Sequence, residues 1–188
     1  YVLEVSSFQM ECILHFKPFI SIFLNIAPDH LDRYANMEDY IQAKINMITN
    51  QDEMDHIIYN FDDPILKSNF IDTLPQAHGF SILGNGETIF TMSATKIYDE
   101  QHATLIQLDR IALPGRHNLA NALAAATAAK IIGIPNSRIA QVMSSFIGVE
   151  HRLERVQEIN GVTFYNDSKA TNVEAVKVAL DSFNSSIH

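Results

Sequence analysis

Lys44 is the residue whose position most asks for a chemical explanation. It lies on the apolar stripe of a helical pattern, i+3 from Ile41 and i+4 from Tyr40, with Ile45 and Ile48 alongside. One reading is a lysine at the edge of the stripe, with its stem packed and its ammonium reaching water. The other is functional: desolvation lowers the pKa of an amine, and a neutral amine reacts with carbon dioxide to give a carbamate, an anionic oxygen ligand for magnesium. Glu4 closes an apolar run and precedes Ser6 and Ser7, a carboxylate with hydroxyls that suits a divalent cation beside phosphates, or a solvated strand end. The run Pro28-Asp29-His30-Leu31-Asp32-Arg33 follows a second apolar stretch, which puts His30 at the carboxyl end of an expected parallel strand, where open α/β sheets build their sites. A helix start or a surface arrangement also fits, since magnesium prefers oxygen to imidazole.

Two further groups lie later in the chain. Gly115-Arg116-His117-Asn118-Leu119-Ala120-Asn121 introduces an alanine-rich helical stretch. Asn118 reads by default as its N-cap. Asn121, one turn on, shares its face, so the two amides could instead read the donor and acceptor pattern of a base such as adenine. His151-Arg152-Leu153-Glu154 and Asn166-Asp167-Ser168-Lys169-Ala170-Thr171-Asn172 flank two strand-like segments. Thr171 and Glu174 have capping-box spacing, and a helix N-terminus beside Lys169 is an anion site; both roles are compatible.

The elements that must position these groups alternate short β-branched apolar runs with longer helical patterns, the signature of an α/β fold with a mostly parallel sheet and flanking helices. Tyr1 to Val5, Phe19 to Ile26 and His56 to Asn60 read as buried strands, and Glu38 to Thr49 as an amphipathic helix. From Ala77 to Leu108 brief strands around Gly84-Asn85-Gly86 predict a small antiparallel excursion. Helices are expected over Asn118 to Ile132, ended by Gly133 and Pro135, and over Ser137 to Phe146. A boundary near Gly148 separates residues 1–148 from 149–188. In the second part, Leu153 to Ile159 and Val162 to Tyr165 read as strands joined at Asn160-Gly161, before a helix from Asn172 to Leu180, the start of a Rossmann-like C-terminal domain.

The net charge of -9 argues against nucleic acid or an anionic membrane as partner, so an anionic substrate must be held locally. One cysteine, Cys12, permits no internal disulfide and fits the cytoplasm. No run approaches the roughly 20 apolar residues of a membrane span. The chain starts inside an apolar run and stops after a helical pattern, so it reads as an excerpt.

Taken together, Leu3 to Gln9, Asn25 to Arg33, Gly115 to Asn121, His151 to Glu154 and Asn166 to Asn172 resemble, in order and spacing, the Mur ligases, ATP-dependent amino-acid ligases of cell-wall synthesis. Asn166 to Asn172, with Ser-Ser-Phe-Gln after Glu4, looks specifically like the D-glutamate-adding branch. Ala27 stands where many members carry Thr. The resemblance implies that residues 1–148 are a central ATP-binding domain and 149–188 the beginning of an amino-acid-binding domain. No Gly-Lys-Thr or Gly-Lys-Ser phosphate loop is present, so that part is expected outside this excerpt.

Carried over residue by residue, the resemblance implies Glu4, His30 and carbamylated Lys44 as ligands of two magnesium ions, with Lys44, His30 and Lys169 the catalytic set. Asn118 and Asn121 would face adenine, Arg152 and Asp167 the phosphate and ribose side, and Lys169 a phosphate. Ser6, Gln9 and His30 would contact the muramoyl substrate, and Thr171 the incoming amino acid. The implied partners are ATP, UDP-N-acetylmuramoyl-L-alanine and D-glutamate, handled by a monomer through an acyl phosphate. Two alternatives are another ligase of the superfamily, such as one adding glutamate to folate, and a silent nucleotide-binding module. Against the second stands the joint presence of Glu4, His30, Lys44 and Lys169.

Overall fold

The computed structural model describes residues 1–29, 32–70, 76–113, 115–171, 173–183 and 187, with the side chain of Glu174 excepted. Alternation along one central strand organises the first part of the fold. In β2 (His56–Asn60), Ile57 and Tyr59 point to one side and Ile58 to the other, and all three are buried. A strand buried on both faces needs cover on both, which is the condition of a parallel sheet between helices. β2 lies between β1 (Ile20–Phe23) and β3 (Gln76–Phe80), parallel to each, with Ile20 opposite His56 and His56 opposite Gln76.

On one face, Ile57 and Tyr59 meet Phe23 of β1, Tyr40 and Ile41 of α2 (Met37–Ile45), and Leu66 and Phe70 of α3 (Pro64–Phe70). On the other, Ile58 and Phe80 meet Leu123, Ala124 and Ala126 of α4 (Arg116–Ile131) and Ile139 and Met143 of α5 (Asn136–Ser145). Alanine-rich α4 is a strong helix former whose small side chains allow close approach to the sheet. The same core takes in Phe90, Ile97, Leu105 and Ile106 from an antiparallel sheet of β4 (Phe90–Met92), β5 (Lys96–Asp99) and β6 (Thr104–Gln107). A hairpin follows, β7 (Glu154–Ile159) with β8 (Val162–Asn166), and then α6 (Val173–Leu180). Asn160 and Gly161 both have positive φ, as a two-residue hairpin turn requires.

Local capping explains several starts. Asn36 Oδ1 accepts from Asp39 N at 2.9 Å at the head of α2, and Asp63 Oδ1 accepts from Ile65 N and Leu66 N at 2.9 and 3.1 Å at the head of α3. A short helix, α1 (Ser7–Met10), is closed by a reciprocal box: Gln9 N donates to Ser6 Oγ at 3.4 Å and Ser6 N to Gln9 Oε1 at 2.8 Å.

Three expectations need correction. Tyr1 to Val5 forms no strand among the described residues: the run has no strand beside it to take its backbone hydrogen bonds, and Tyr1 to Glu4 stand exposed. The segment from Gln76 belongs to the parallel sheet, so the antiparallel excursion begins only at Phe90. Asn118 is not the N-cap of its helix; α4 starts at Arg116 behind Gly115, which leaves Asn118 in the first turn. The remaining strands and helices lie where the patterns put them, within a few residues. No helix among the described residues is long and apolar enough to cross a membrane.

Candidate functional site

The residues singled out by type fall into two assemblies. The first is the pair of Lys44, on the face of α2, and Asp29, which follows β1 in the chain. Lys44 is half-buried, its Nζ 4.9 Å from the centroid of the Tyr40 ring. Burial pushes its amine below the usual lysine range, and the nearby Asp29 carboxylate acts in the opposite direction. The loop that carries Asp29 is tied down on its far side. Arg33 donates to Glu11 through Nε at 3.2 Å and Nη2 at 2.7 Å, and Tyr34 OH donates to the same carboxylate at 2.6 Å. This paired contact holds the Glu11 carboxyl below the ordinary range, chiefly through Arg33 and then Tyr34. Ile26 N donates to Asp63 Oδ2 at 3.0 Å, anchoring the loop's near side to the head of α3.

His30 lies outside the described residues. Glu4 is exposed. Ser6 and Gln9 are exposed and satisfy one another, Ser6 Oγ donating to Gln9 Oε1 at 3.2 Å as well as through the capping box. Among the described residues no group of three or more His, Cys, Asp or Glu side chains is placed to hold a metal ion. What fits magnesium here is the chemistry of the donors: Glu4 supplies a carboxylate, and Lys44 is an amine whose burial favours the neutral, carbamate-forming state.

The second assembly forms where α4 begins and the last segment returns. Asn118, only 9% exposed, and Asn121 line a cavity of about 140 Å³ together with Arg152, Tyr165, Ser182 and Phe183. Leu113, Phe146 and Val149 contribute apolar lining. Amides and a guanidinium converging in a largely apolar recess are what a base with attached phosphates requires: a flat apolar slot, a donor and acceptor pair, and a cation.

Arg152 is presented by a strained turn. His151 and Leu153, on either side of it, have φ of 68° and 44°, the left-handed region that side chains other than glycine rarely occupy. Such strain persists only where the surroundings hold it. Here Leu153 N donates to Asp167 Oδ1 at 3.0 Å, His151 N to Glu154 Oε2 at 2.9 Å, and Lys169 N to His151 O at 3.0 Å. Asn166 Nδ2 adds contacts to His151 Nδ1 at 2.8 Å and Glu154 Oε2 at 3.1 Å. Asp167 and the backbone of Lys169 therefore shape the Arg152 turn directly. The Lys169 and Thr171 side chains are exposed. Asn172 and the Glu174 side chain, the other half of the expected capping box, lie outside the described residues.

Sequence reasoning passed over His117, Tyr165, Ser182 and Phe183. His117 lies within the run Gly115 to Asn121, and its ring is pushed below the ordinary histidine range, first by burial, with Asp167 opposing and Arg152 reinforcing. Tyr165 and Phe183 meet edge-on with centroids 4.7 Å apart. A strand pattern and a chain tail gave no sign that these rings would meet.

The profile of the Mur ligase middle domain matches residues 1–129. The chain is 42% identical over 197 residues to the UDP-N-acetylmuramoylalanine--D-glutamate ligase of Caldicellulosiruptor bescii, covering 100% of this chain and 42% of that protein. It is 40% identical over 186 residues to the enzyme of the same name from Bacteroides fragilis, covering 97% and 42%. The chain thus spans well under half the length of the curated relatives it matches. Among solved structures, MurF from Acinetobacter baumannii superposes with a TM-score of 0.69 at 19% identity, covering 89% of this chain and 38% of that one. MurF from Thermotoga maritima in complex with ADP gives 0.69 at 18% identity, covering 88% and 39%; at such identities the likeness concerns the fold.

Proposed function

This chain belongs to the Mur ligase family, and we propose that the protein joins D-glutamate to UDP-N-acetylmuramoyl-L-alanine in the cytoplasm, at the expense of ATP, for peptidoglycan synthesis. In this reading residues 1–148 are ATP-binding and residues 149–188 begin the amino-acid-binding domain. The observation that carries the reading is the convergence of Asn118 and Asn121, from the first part, with Arg152, from the second, on one cavity. A nucleotide held between the two parts brings them together around the reacting groups.

The chemistry follows from the partners. An oxygen of the alanyl carboxylate attacks the γ-phosphorus of ATP, the bond to the β,γ-bridging oxygen breaks, and ADP leaves with that electron pair. The amine nitrogen of D-glutamate then attacks the acyl carbon. The tetrahedral intermediate collapses by breaking the C–O bond to phosphate, and the nitrogen loses a proton. Asn118 and Asn121 hold the base, Arg152 and Asp167 orient the phosphate and ribose side, and Lys169 balances charge on the transferring oxygens. Thr171 orients D-glutamate, and Ser6 and Gln9 meet the muramoyl substrate. Glu4, His30 and Lys44 would hold magnesium, which supplies neutralisation of charge on the phosphates. For Lys44 this requires carbamylation: the neutral amine forms a C–N bond to carbon dioxide, a C=O electron pair moves to oxygen, and the nitrogen releases a proton.

Asn121 gives a direct test, being exposed on its helix and lining the cavity. In the full-length protein, Asn121→Ala is expected to weaken ATP binding by about 1–2 kcal/mol, on the order of ten-fold, through loss of a base contact. The melting temperature should hold, because Ala favours the helix. Calorimetric titration that finds ATP affinity unchanged would remove Asn121 from the site.

A further inference from the structure

The end of α6 meets the start of α4 at His117 and Ser182. Ser182 Oγ lies 3.4 Å from His117 Nδ1 and 2.8 Å from the carbonyl of Val178. A serine hydroxyl has one proton, and here it is given to Val178 O, the shorter contact. Towards His117 the oxygen is then left to accept, so a hydrogen bond across this contact has Nδ1–H as its donor. The fit around this pair is close. A Cβ on Gly115 would come within 2.9 Å of His117 Cε1 and 3.0 Å of Ser182 Oγ, and Gly115 has φ of +97°, so both space and backbone call for glycine. The same junction closes again at Gly148, with φ of +99°, where a Cβ would meet Leu113 Cδ2 at 3.2 Å. Ser182, Leu113 and Gly148 all line the cavity that Asn118 and Asn121 enter; His117 is absent from that lining.

We propose that His117 is a positioning residue of this cavity: its Nδ1–H latches Ser182 to the head of α4 and so fixes the wall that Ser182 and Phe183 contribute. The inference rests on the reading of the cavity as the nucleotide site, and extends it to a residue that does not touch the nucleotide. It also makes a stereochemical demand. Asn can place an amide N–H near the position of a histidine Nδ1, whereas Gln places its amide further out, near Nε2, and Leu fills space without donating.

The experiment measures the ATP KM and kcat of the full-length ligase for His117→Leu, His117→Asn, His117→Gln, Ser182→Ala and the double variant His117→Leu/Ser182→Ala, with Asn121→Ala alongside. His117→Leu and Ser182→Ala should each raise the ATP KM about three- to ten-fold with kcat at saturation little changed, and the double variant should be no worse than the more impaired single one, as for two halves of one contact. His117→Asn should recover most of the wild-type KM, and His117→Gln should not. If the effects of the two single variants multiply, or if Asn does no better than Leu, the latch is wrong and His117 merely fills space. If His117→Leu leaves KM unchanged while Asn121→Ala raises it, the latch fails and the nucleotide site stands. Unchanged KM in Asn121→Ala as well would overturn the nucleotide site itself.

Discussion

Lys44→Ala in the full-length protein is expected to lower turnover by about 100-fold or more, the scale seen when one stabiliser of transition-state charge is removed. Stability should move little. The substitution removes the approach of Lys44 Nζ to the Tyr40 ring at 4.9 Å, worth about 0.5–1 kcal/mol in the ammonium form, and replaces a partly desolvated amine by the best helix former in the last turn of α2. Activity and stability therefore separate. Acetate or formate entering the vacated space would restore a carboxylate where the carbamate is proposed, so part of the turnover should return, saturate with added carboxylate and require magnesium. A lysine that only lays its stem along the apolar stripe predicts neither the collapse nor the rescue. Turnover of Lys44→Ala against acetate, read with its melting temperature, decides between them; near-normal turnover without added carboxylate would remove the carbamate from the mechanism.

Lys169→Ala is expected to reduce kcat by about 100- to 1,000-fold, equivalent to about 2.7–4 kcal/mol of lost charge stabilisation. The position isolates the side chain well. The contribution of Lys169 to the strained Arg152 turn is its backbone N–H, which donates to His151 O and survives substitution, while its side chain is exposed. Surface changes of that kind alter stability by about 0.5 kcal/mol or less. Lys169→Arg keeps the charge but spreads it over a planar fork, so it should recover only part of the rate. If single-turnover measurements find Lys169→Ala within about three-fold of wild type, far short of the effect of losing a transition-state contact, Lys169 has no part in phosphoryl transfer.

What the sequence made legible depended on how local the determining forces were. β2 was readable to the residue because a strand buried on both faces is a continuous apolar run, and α4 because its alanines and the Gly133-Ile134-Pro135 stop are local signals. Tyr1 to Val5 carries the same apolar signal, but a strand also needs a neighbour to bond to, and that is a property of the fold. The helix α3 was missed although Asp63-Pro64 announces it, an N-cap followed by proline at the first helical position; seven residues give too little periodicity to register against the preceding strand. Among the candidate residues, Asn118, Asn121 and Arg152 come to line one cavity and Asp167 braces the turn beside it; the amide pair stood out by type and spacing, whereas Arg152 and Asp167 entered only through the resemblance. The left-handed backbone at His151 and Leu153, the His117–Ser182 contact and the aromatic pair Tyr165 and Phe183 depend on contacts between distant segments, and nothing in residue type or spacing encodes those. Resemblance to a family located the motif residues and was silent about what supports them.

The central claim is the reaction itself, and mass analysis of the ligation product tests it most directly. Full-length protein incubated with ATP, magnesium and UDP-N-acetylmuramoyl-L-alanine should convert the muramoyl substrate to its D-glutamyl adduct, with one ADP and one phosphate released per adduct. L-Glutamate, supplied alone at the same concentration, should yield none. Formation of the adduct only with D-glutamate is the predicted result. Consumption of ATP without any adduct, or preferential ligation of a different amino acid or onto a folate acceptor, would contradict it.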